Sequence, residues 1–253
     1  MTDSLDSSSQ AAGSSDEYTR FGAYYDAIYA AMGKNYAQDA EQIHQCILHN
    51  KKSGGNSLLD IGCGTGGHIT FLEQNYAVEG LDISPSMLKI AKQRYPNVKF
   101  HLGDMTTFAL GRQFDVITCL FSAIGYVQTV SRLDETVQNM GRHLLPGGVL
   151  IVEPWLSPEQ YHSGHVFSTQ VDQPELKITR MNVSERQGNL SILNFHFLVG
   201  TPQGVEYFTE QHHLGLFSSE TYLDAFKKSG LDAIHDLEGI TGRGLYIGTR
   251  PLH

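Results

Sequence analysis

Three carboxylates follow three successive predicted strands. Asp60 lies near the end of SLLDI, Asp82 near the end of AVEGLDI, and Asp104 directly after VKFHLG. Because the carboxyl ends of neighbouring parallel strands meet at one edge of a sheet, we expect these side chains to lie close together. A carboxylate at the first strand end would repel a pyrophosphate but suits an ammonium group. The spacing therefore favours a ligand that carries hydroxyl groups and positive charge.

A glycine-rich turn after Asp60 indicates a nucleotide site. Gly62, Gly64 and Gly66 read GxGxG, and positions 62, 64 and 67 also match GxGxxG. Glycine lets the backbone approach a ligand closely, so the pattern alone also allows a nicotinamide or flavin dinucleotide. The acidic residue about 20 positions after the first glycine is common to both classes of site.

Asp60 and Asp104 separate the two classes. A carboxylate at position 60 suits the α-amino group of a nucleoside that bears an amino acid, and Asp104 can accept from an adenine amino group. Met105 can cover the base, and Asp82 can bind ribose hydroxyls. This set describes S-adenosylmethionine. The alternative is that Asp60 and Asp104 only cap loops.

The surrounding sequence alternates strands and helices. Short apolar runs between residues 57 and 153 predict five strands, and segments 66–75, 84–95 and 131–144 predict helices, the last ended by LPGG. This order predicts a parallel sheet with helices on both faces. A helix after Ser218, followed by strands near Asp232–Leu237 and Gly244–Thr249, completes the expected α/β fold, a Rossmann-like seven-stranded, mostly parallel sheet.

Two further regions flank or interrupt this α/β core. Residues 164–217 alternate polar and apolar side chains between turn signals, which predicts an inserted antiparallel β lid. Residues 1–16 are Ser-rich and acidic, which predicts a disordered tail. An aromatic-rich helix is expected from residue 17, and a second helix from Tyr36 to His49. The expected domains are therefore the tail at 1–16, the N-terminal helices with the core at 17–163, the lid at 164–217, and the last helix and strands at 218–253.

Composition excludes several classes of partner. The chain of 253 residues carries 27 Asp and Glu against 18 Lys and Arg, a net charge of −9, which argues against nucleic acid and anionic membranes as partners. Cys46, Cys63 and Cys119 have no metal-ligand spacing, so no metal is expected and the thiols are typical of a cytoplasmic protein. The sequence has neither a signal peptide nor an apolar run of about 18 residues, so no membrane span is expected.

The motifs resemble those of class I S-adenosylmethionine-dependent methyltransferases. DIGCGTG matches the glycine loop, GLDIS the ribose acid and GDM the adenine acid, followed by FDVITCLF and LLPGGVLIVE. The segments YYDAIY, GKNYAQDA, CLFSAIGY, IVEPW, FHF and TGRGLYIG look like those of nucleotide-linked aminosugar N-methyltransferases, which methylate the amine of a TDP-3-amino-3,6-dideoxyhexose. The resemblance runs from about Tyr18 to Thr249.

The resemblance implies S-adenosylmethionine as the cofactor, S-adenosylhomocysteine as its product and a small molecule as the acceptor. Tyr18 and Tyr126 are the expected catalytic residues. Tyr126 matches a position near the acceptor amine in such enzymes, and Tyr18 comes from the N-terminal helices that cover the cofactor and the acceptor. The positions that match cofactor contacts are Tyr25, Tyr36, Asp60, Gly62, Gly64, Thr65, Asp82, Ile83, Met87, Asp104, Met105 and Phe121. Those that match acceptor or phosphate contacts are Trp155, Arg180, Arg186, His196, His212 and Arg243.

Several alternatives remain at this point. Ala123, Leu156 and Ser157 depart from the aminosugar pattern, which leaves room for another small acceptor, such as an amine, amino acid or carboxylate, or for a non-catalytic cofactor-binding protein. Tyr18 and Tyr25 could be core aromatics, and His212 and His213 could be exposed strand residues. Arg186 could be a solvated hairpin residue and Arg243 a turn-capping residue. Glu153 could support the fold or touch the acceptor. A homodimer is possible.

Overall fold

The computed structural model describes residues 20–252, and a seven-stranded sheet forms its centre. The strand order is β10-β11-β5-β4-β1-β2-β3, and all neighbours are parallel except that β11 runs antiparallel to β5 and β10. The predicted Rossmann-like topology is confirmed. The strands are β1 (Ser57–Ile61), β2 (Ala77–Asp82), β3 (Lys99–Leu102), β4 (Phe114–Cys119), β5 (Leu144–Val152), β10 (Asp232–Asp236) and β11 (Leu245–Thr249).

Helices cover both faces of this sheet. Alternate strand residues divide between two cores, since side chains point to opposite faces along a strand. Leu58, Val116 and Ile151 pack with α2, whereas Leu59, Ile117 and Leu150 pack with α5 and α6. The helices are α1 (Tyr25–Ala31), α2 (Tyr36–Asn50), α3 (Ile69–Leu72), α4 (Pro85–Arg94), α5 (Val130–Arg142) and α6 (Ser219–Lys228).

Side-chain caps fix where several helices begin. Ser84 accepts from the Met87 amide with Pro85 at the first helical position, Thr129 caps α5 and Ser218 caps α6. A short polar side chain at this position satisfies an amide that the helix leaves without a partner. The sequence pattern predicts the α4 and α6 starts for this reason.

Three predicted helices differ in extent. The segment 66–75 forms only the single turn α3, because Gly66 adopts φ +82° and the chain turns again after Leu72 to enter β2. The helix predicted over 131–144 starts one residue earlier and ends at Arg142; LPGG belongs to β5, where Leu144 pairs with Phe114. The first aromatic helix is split into a 3-10 turn at Phe21–Ala23 and α1.

A second, four-stranded antiparallel sheet is inserted between β5 and α6. Its order is β6-β7-β8-β9, formed by β6 (Val166–Gln173), β7 (Leu176–Gln187), β8 (Leu190–Thr201) and β9 (Gly204–Gly215). Its inner face and the N-terminal turn and helix share one apolar core, which includes Phe21, Ile28, Ile178, Phe197 and Phe208. The inserted sheet and the N-terminal segment therefore pack against each other.

The predicted tail at residues 1–16 and the candidate Tyr18 lie outside the described residues. Across residues 20–252, no helix combines the length and apolarity needed to span a bilayer.

Candidate cofactor and acceptor site

The glycine loop after β1 is tightly enclosed by protein. Gly62 has φ +69°, and a Cβ there would lie 2.6 Å from the Cβ of Ala123. A Cβ on Gly67 would lie 2.6 Å from the ring of Tyr36. Side chains at these two positions would therefore displace the loop after β4 and the start of α2, both of which border the candidate site.

Asp82 joins the glycine loop to the start of α4. Its Oδ2 accepts from the Gly64 amide at 2.7 Å, and its Oδ1 accepts from the Ser84 amide at 2.8 Å. The neighbouring Ile83 side chain is 60% exposed, so its apolar surface is open to a flat ring, whereas Met87 is buried near Gly22. The arrangement holds the acid of the predicted ribose site at the edge of the sheet.

Asp60 is a buried acid at the carboxyl end of β1. It is 2% exposed and accepts from the Thr118 hydroxyl at 2.7 Å. Burial raises the pKa of its carboxyl group, opposed by His68 and by the bond from Thr118. An ammonium group beside it would favour the ionised form, so the surroundings of Asp60 fit the α-amino group of S-adenosylmethionine.

Asp104 is ionised through its own contacts. Its Oδ1 accepts from the Thr106 amide at 2.8 Å, and its Oδ2 pairs with the Arg132 guanidinium at 2.9 Å. Burial opposes ionisation, but the bonds from Thr106 and Arg132 outweigh it and lower the pKa. Each carboxylate oxygen has a second lone pair, so an adenine amino group can still be accepted beside Met105.

Aromatic rings from α1, α2 and the loop after β4 form one wall of the site. The rings of Tyr25 and Tyr29 are 4.5 Å apart between centroids, and those of Tyr29 and Phe121 are 4.8 Å apart. Burial, followed by the nearby phenols of Tyr29, Tyr36 and Tyr126, raises the pKa of Tyr25 well above its usual value. Such neutral, electron-rich rings attract a cation, as a sulfonium requires.

Asp26 attaches this wall to the glycine loop. The Thr65 hydroxyl donates to its Oδ1 at 2.8 Å, and Arg94 from α4 pairs with its Oδ2 at 2.5 Å. The predicted cofactor residue Thr65 therefore already has a side-chain partner on α1. Asp26 and Tyr29 carry no motif of their own, although YYDAIY places both on the helix that the sequence assigns to the site.

Tyr126 and His212 meet at the border of the inserted sheet. The Tyr126 hydroxyl lies 2.9 Å from His212 Nδ1, and Glu210 Oε2 lies 3.5 Å from His212 Nε2. Glu210 also accepts from the Phe21 amide at 2.9 Å. His212 is 1% exposed and is therefore not the exposed strand residue that the alternative required. Sequence reasoning missed Glu210, although the period-two alternation of a strand already places it on the same face of β9 as His212.

Two of the three candidate arginines approach the loop after β4. The buried Arg180 guanidinium lies over the rings of Tyr29 at 5.6 Å and Phe195 at 4.8 Å. Arg243 donates to the Ser122 hydroxyl at 2.7 Å and lies over the Trp155 ring at 5.0 Å. Arg243 therefore contacts this loop directly, whereas Arg180 is next to Tyr29, whose ring contacts Phe121.

Two other candidates lie elsewhere. Arg186 is exposed and donates to the backbone carbonyls of Pro158 at 2.7 Å and Gly188 at 2.8 Å, so it holds the β7–β8 hairpin. His196 lies on the exposed face of β8, where its Nδ1 is 2.6 Å from the Tyr207 hydroxyl. The structure does not bring either side chain to the loop after β4.

The loop after β4 is held in an unusual conformation. Phe121 and Ser122 have φ values of +51° and +66°, a region that side-chain-bearing residues rarely adopt. Glu153, 1% exposed, accepts from the Phe121 amide at 2.7 Å and from the Thr241 hydroxyl at 2.6 Å. Both Glu153 oxygens are therefore bonded to the protein, so this side chain supports the fold of the loop.

Comparison with known proteins agrees with this geometry. A family described as "Methyltransferase domain" matches residues 58–148. The chain is 37% identical over 245 residues, 95% of each chain, to the dTDP-3-amino-3,6-dideoxy-α-D-glucopyranose N,N-dimethyltransferase of Streptomyces fradiae. It is 38% identical over 227 residues, 89% of this chain and 91% of the relative, to the dTDP-4-amino-2,3,4,6-tetradeoxy-D-glucose N,N-dimethyltransferase of Saccharopolyspora spinosa.

A solved structure is also similar over most of its length. The S-adenosylmethionine-bound CalS10, an amino pentose methyltransferase from Micromonospora echinaspora involved in calicheamicin biosynthesis, superposes with a TM-score of 0.82 at 37% identity, covering 89% of this chain and 96% of that one. The strand-end acids, the glycine loop and these likenesses together show that the chain is an S-adenosylmethionine-dependent methyltransferase and belongs to the family of the dTDP-aminosugar N,N-dimethyltransferases.

Proposed function

We propose that this enzyme methylates the amine of a nucleotide-linked aminosugar. The observation that carries the proposal is the buried Arg180, whose Nη1 has no hydrogen-bond partner among residues 20–252. A buried guanidinium with an unused donor is costly unless an anion reaches it. A sugar linked to a nucleoside diphosphate brings such an anion, together with an amine.

The chain's own residues would hold the cofactor and align the acceptor. Asp60, Asp82 and Asp104 would hold the ammonium, ribose and adenine groups, and the aromatic wall would surround the sulfonium. When bound, S-adenosylmethionine supplies a methyl group already activated toward displacement. The acceptor nitrogen would form the new N–C bond with its lone pair as the S–C bond breaks. The bonding pair would stay on the sulfur of S-adenosylhomocysteine, and the methylated nitrogen would release one proton to water. Catalysis under this scheme rests mainly on position and on exclusion of water.

Tyr126 is the residue that we assign to the acceptor amine. Its hydroxyl is oriented by His212 Nδ1, which is in turn next to Glu210. A hydroxyl fixed in this way can accept an N–H bond from the amine and direct the lone pair toward the methyl group. Tyr18, outside the described residues, stays a second candidate for the same task.

Two of the three departures from the aminosugar pattern, Ala123 and Ser157, make contacts within the protein. The Cβ of Ala123 packs against the glycine loop, so a change there alters the contact with Gly62. Ser157 forms a turn in which its amide donates to Gln160 Oε1 at 3.0 Å.

Product mass tests the proposal directly. The protein is incubated with S-adenosylmethionine and dTDP-linked 3-amino or 4-amino sugars, and the acceptor is analysed by mass spectrometry together with S-adenosylhomocysteine. We expect the acceptor to gain one or two CH2 units, in step with S-adenosylhomocysteine. Binding of the cofactor without any change in these acceptors would contradict the proposal and favour another acceptor or a non-catalytic protein.

Two further assignments belong to the same proposal. We place the enzyme in the cytoplasm, where its three free thiols stay reduced. We also propose a homodimer, because the outer face of the inserted sheet exposes apolar side chains that a second copy could cover. These are Val166, Met181, Val183, Leu198, Val205 and Tyr207, here called the outer face.

A further inference from the structure

Lys34, between α1 and α2, is a nearly buried cation inside the candidate site. Its side chain is 6% exposed, and its ammonium nitrogen lies 3.9 Å from the centroid of the Phe121 ring and 5.5 Å from that of Tyr36. Lysine is almost never this buried without a partner that needs its charge. No motif considered above assigns a task to this side chain.

The described residues offer the Lys34 ammonium group fewer hydrogen-bond acceptors than it has N–H donors. Asp39 Oδ2 lies 2.5 Å from Lys34 Nζ, and the same oxygen is 3.3 Å from His68 Nε2. Burial opposes ionisation of Asp39, but His68 and Lys34 outweigh it and lower the pKa of the carboxyl group. Despite this contact, Lys34 Nζ forms no well-directed hydrogen bond within residues 20–252. An ammonium has three N–H donors, so some of them remain for a ligand.

The position of Lys34 places these donors at the amino-acid end of the cofactor site. Phe121 begins the loop that borders the glycine loop, and the ring of Tyr36 covers Gly67. His68, which contacts Asp39, also acts electrostatically on Asp60. Lys34 and Asp60 therefore belong to the same end of the pocket.

Charge then decides which group Lys34 can meet. The amino-acid part of S-adenosylmethionine carries an ammonium, a sulfonium and a carboxylate. Lys34 repels the first two, and Asp60 suits the ammonium. The carboxylate is the one remaining charged group and the one that a lysine attracts.

We infer that Lys34 binds the α-carboxylate of S-adenosylmethionine, and that Asp39 and His68 position its ammonium group. The inference rests on the cofactor alone and is independent of the acceptor. It predicts that the protein recognises the cofactor by its carboxylate as well as by its nucleoside.

Calorimetric titration with two ligands tests this inference. One ligand is S-adenosylhomocysteine, and the other is its decarboxylated analogue, which keeps the amine and lacks only the carboxylate. We expect wild-type protein to prefer S-adenosylhomocysteine by roughly 10- to 100-fold, the usual effect of a bond between charged groups. Lys34→Met should lose this preference by weakening S-adenosylhomocysteine alone, and Lys34→Arg should restore part of it. The control Lys92→Met removes an exposed lysine of α4 and should match wild type.

The outcomes separate a ligand contact from a structural ion pair. Equal weakening of both ligands in Lys34→Met would overturn the inference, because it indicates a general loss of the pocket. Equal affinity of wild-type protein for the two ligands would overturn it without any variant. Thermal unfolding of the ligand-free variants shows whether each is folded. Since no acceptor is present, failure of the aminosugar proposal leaves this result unaffected.

Discussion

Two residues of this site, Asp60 and Lys34, bury charged groups. This burial lowers the stability of the protein without ligand and is compensated when a ligand of opposite charge binds. Asp60 is buried with a raised pKa, so its ionised form is destabilised until a cation arrives. Lys34 is the corresponding case with positive charge: its ammonium group is buried, and it has N–H donors that the described residues do not bind. Sites that bind charged ligands commonly store this kind of unfavourable burial.

Replacing Asp60 tests this balance. A group whose pKa is raised by folding stabilises the fold only as pH falls and it becomes protonated, so at neutral pH the Asp60 charge opposes folding. Asp60→Asn keeps an oxygen for the Thr118 hydroxyl and removes the charge. We expect the unliganded protein to gain about 1 kcal/mol in unfolding free energy, whereas the cofactor binds roughly 10- to 100-fold more weakly.

Denaturant unfolding and calorimetry at neutral pH measure the two effects separately. Wild-type stability without ligand should also rise, relative to the variant, when pH is lowered through the raised pKa of Asp60. A variant that is less stable than wild type at neutral pH and binds the cofactor equally well would contradict this account of Asp60.

At the scale of elements, the site depends on loops that hold one another. The left-handed pair Phe121–Ser122 carries the aromatic ring next to Lys34 and the hydroxyl that binds Arg243. Glu153, at the end of β5, fixes this loop and the segment before β11 at once through its two oxygens. One buried side chain thereby positions residues from two distant parts of the chain.

Paired substitutions of Glu153 test this support. Glu153→Gln can still accept from the Phe121 amide and turn its amide group toward the Thr241 hydroxyl, so it should behave almost as wild type. Glu153→Leu leaves a buried amide without a partner, which should cost about 2 kcal/mol of unfolding free energy. Denaturant unfolding and cofactor titration check both variants, and a Leu variant as stable and as tight-binding as the Gln variant would refute the assignment.

The same loops mark the limit of what the sequence can predict. The location of Asp60, Asp82 and Asp104 at one edge of the sheet is predictable because neighbouring parallel strands end at the same edge. Ser84 followed by Pro85 predicts the start of a helix. The left-handed conformation of Phe121 has no such signal, and the side chain that bonds its amide, Glu153, comes from the end of another strand. Lys34 lies in a segment that resembles a simple turn, and its burial depends on Phe121. Local pattern therefore predicts the cofactor half better than the contacts made across elements.

At the scale of the whole molecule, the inserted sheet has two faces with different tasks. Its inner face packs on the N-terminal helix and brings Arg180 and His212 to the site. Its outer face exposes apolar side chains in neighbouring register, with Val166 opposite Val183 and Leu198 opposite Tyr207. Several exposed apolar side chains on one face are typical of an association site.

A charge introduced into the outer face tests whether a second copy covers it. Leu198, 51% exposed, lies in this face, whereas Leu48, 59% exposed, lies on α2. In a twofold dimer each copy contributes the same patch, so Leu198→Glu places like charges in one interface and adds to a net charge of −9. We expect light scattering after size exclusion to give a dimer for wild type and for Leu48→Glu, but a monomer for Leu198→Glu with unchanged cofactor binding. A wild-type monomer at all concentrations would rule out self-association. A Leu198→Glu dimer would show that the outer face is not the interface, because the introduced carboxylates would then be exposed to water in the dimer instead of facing each other.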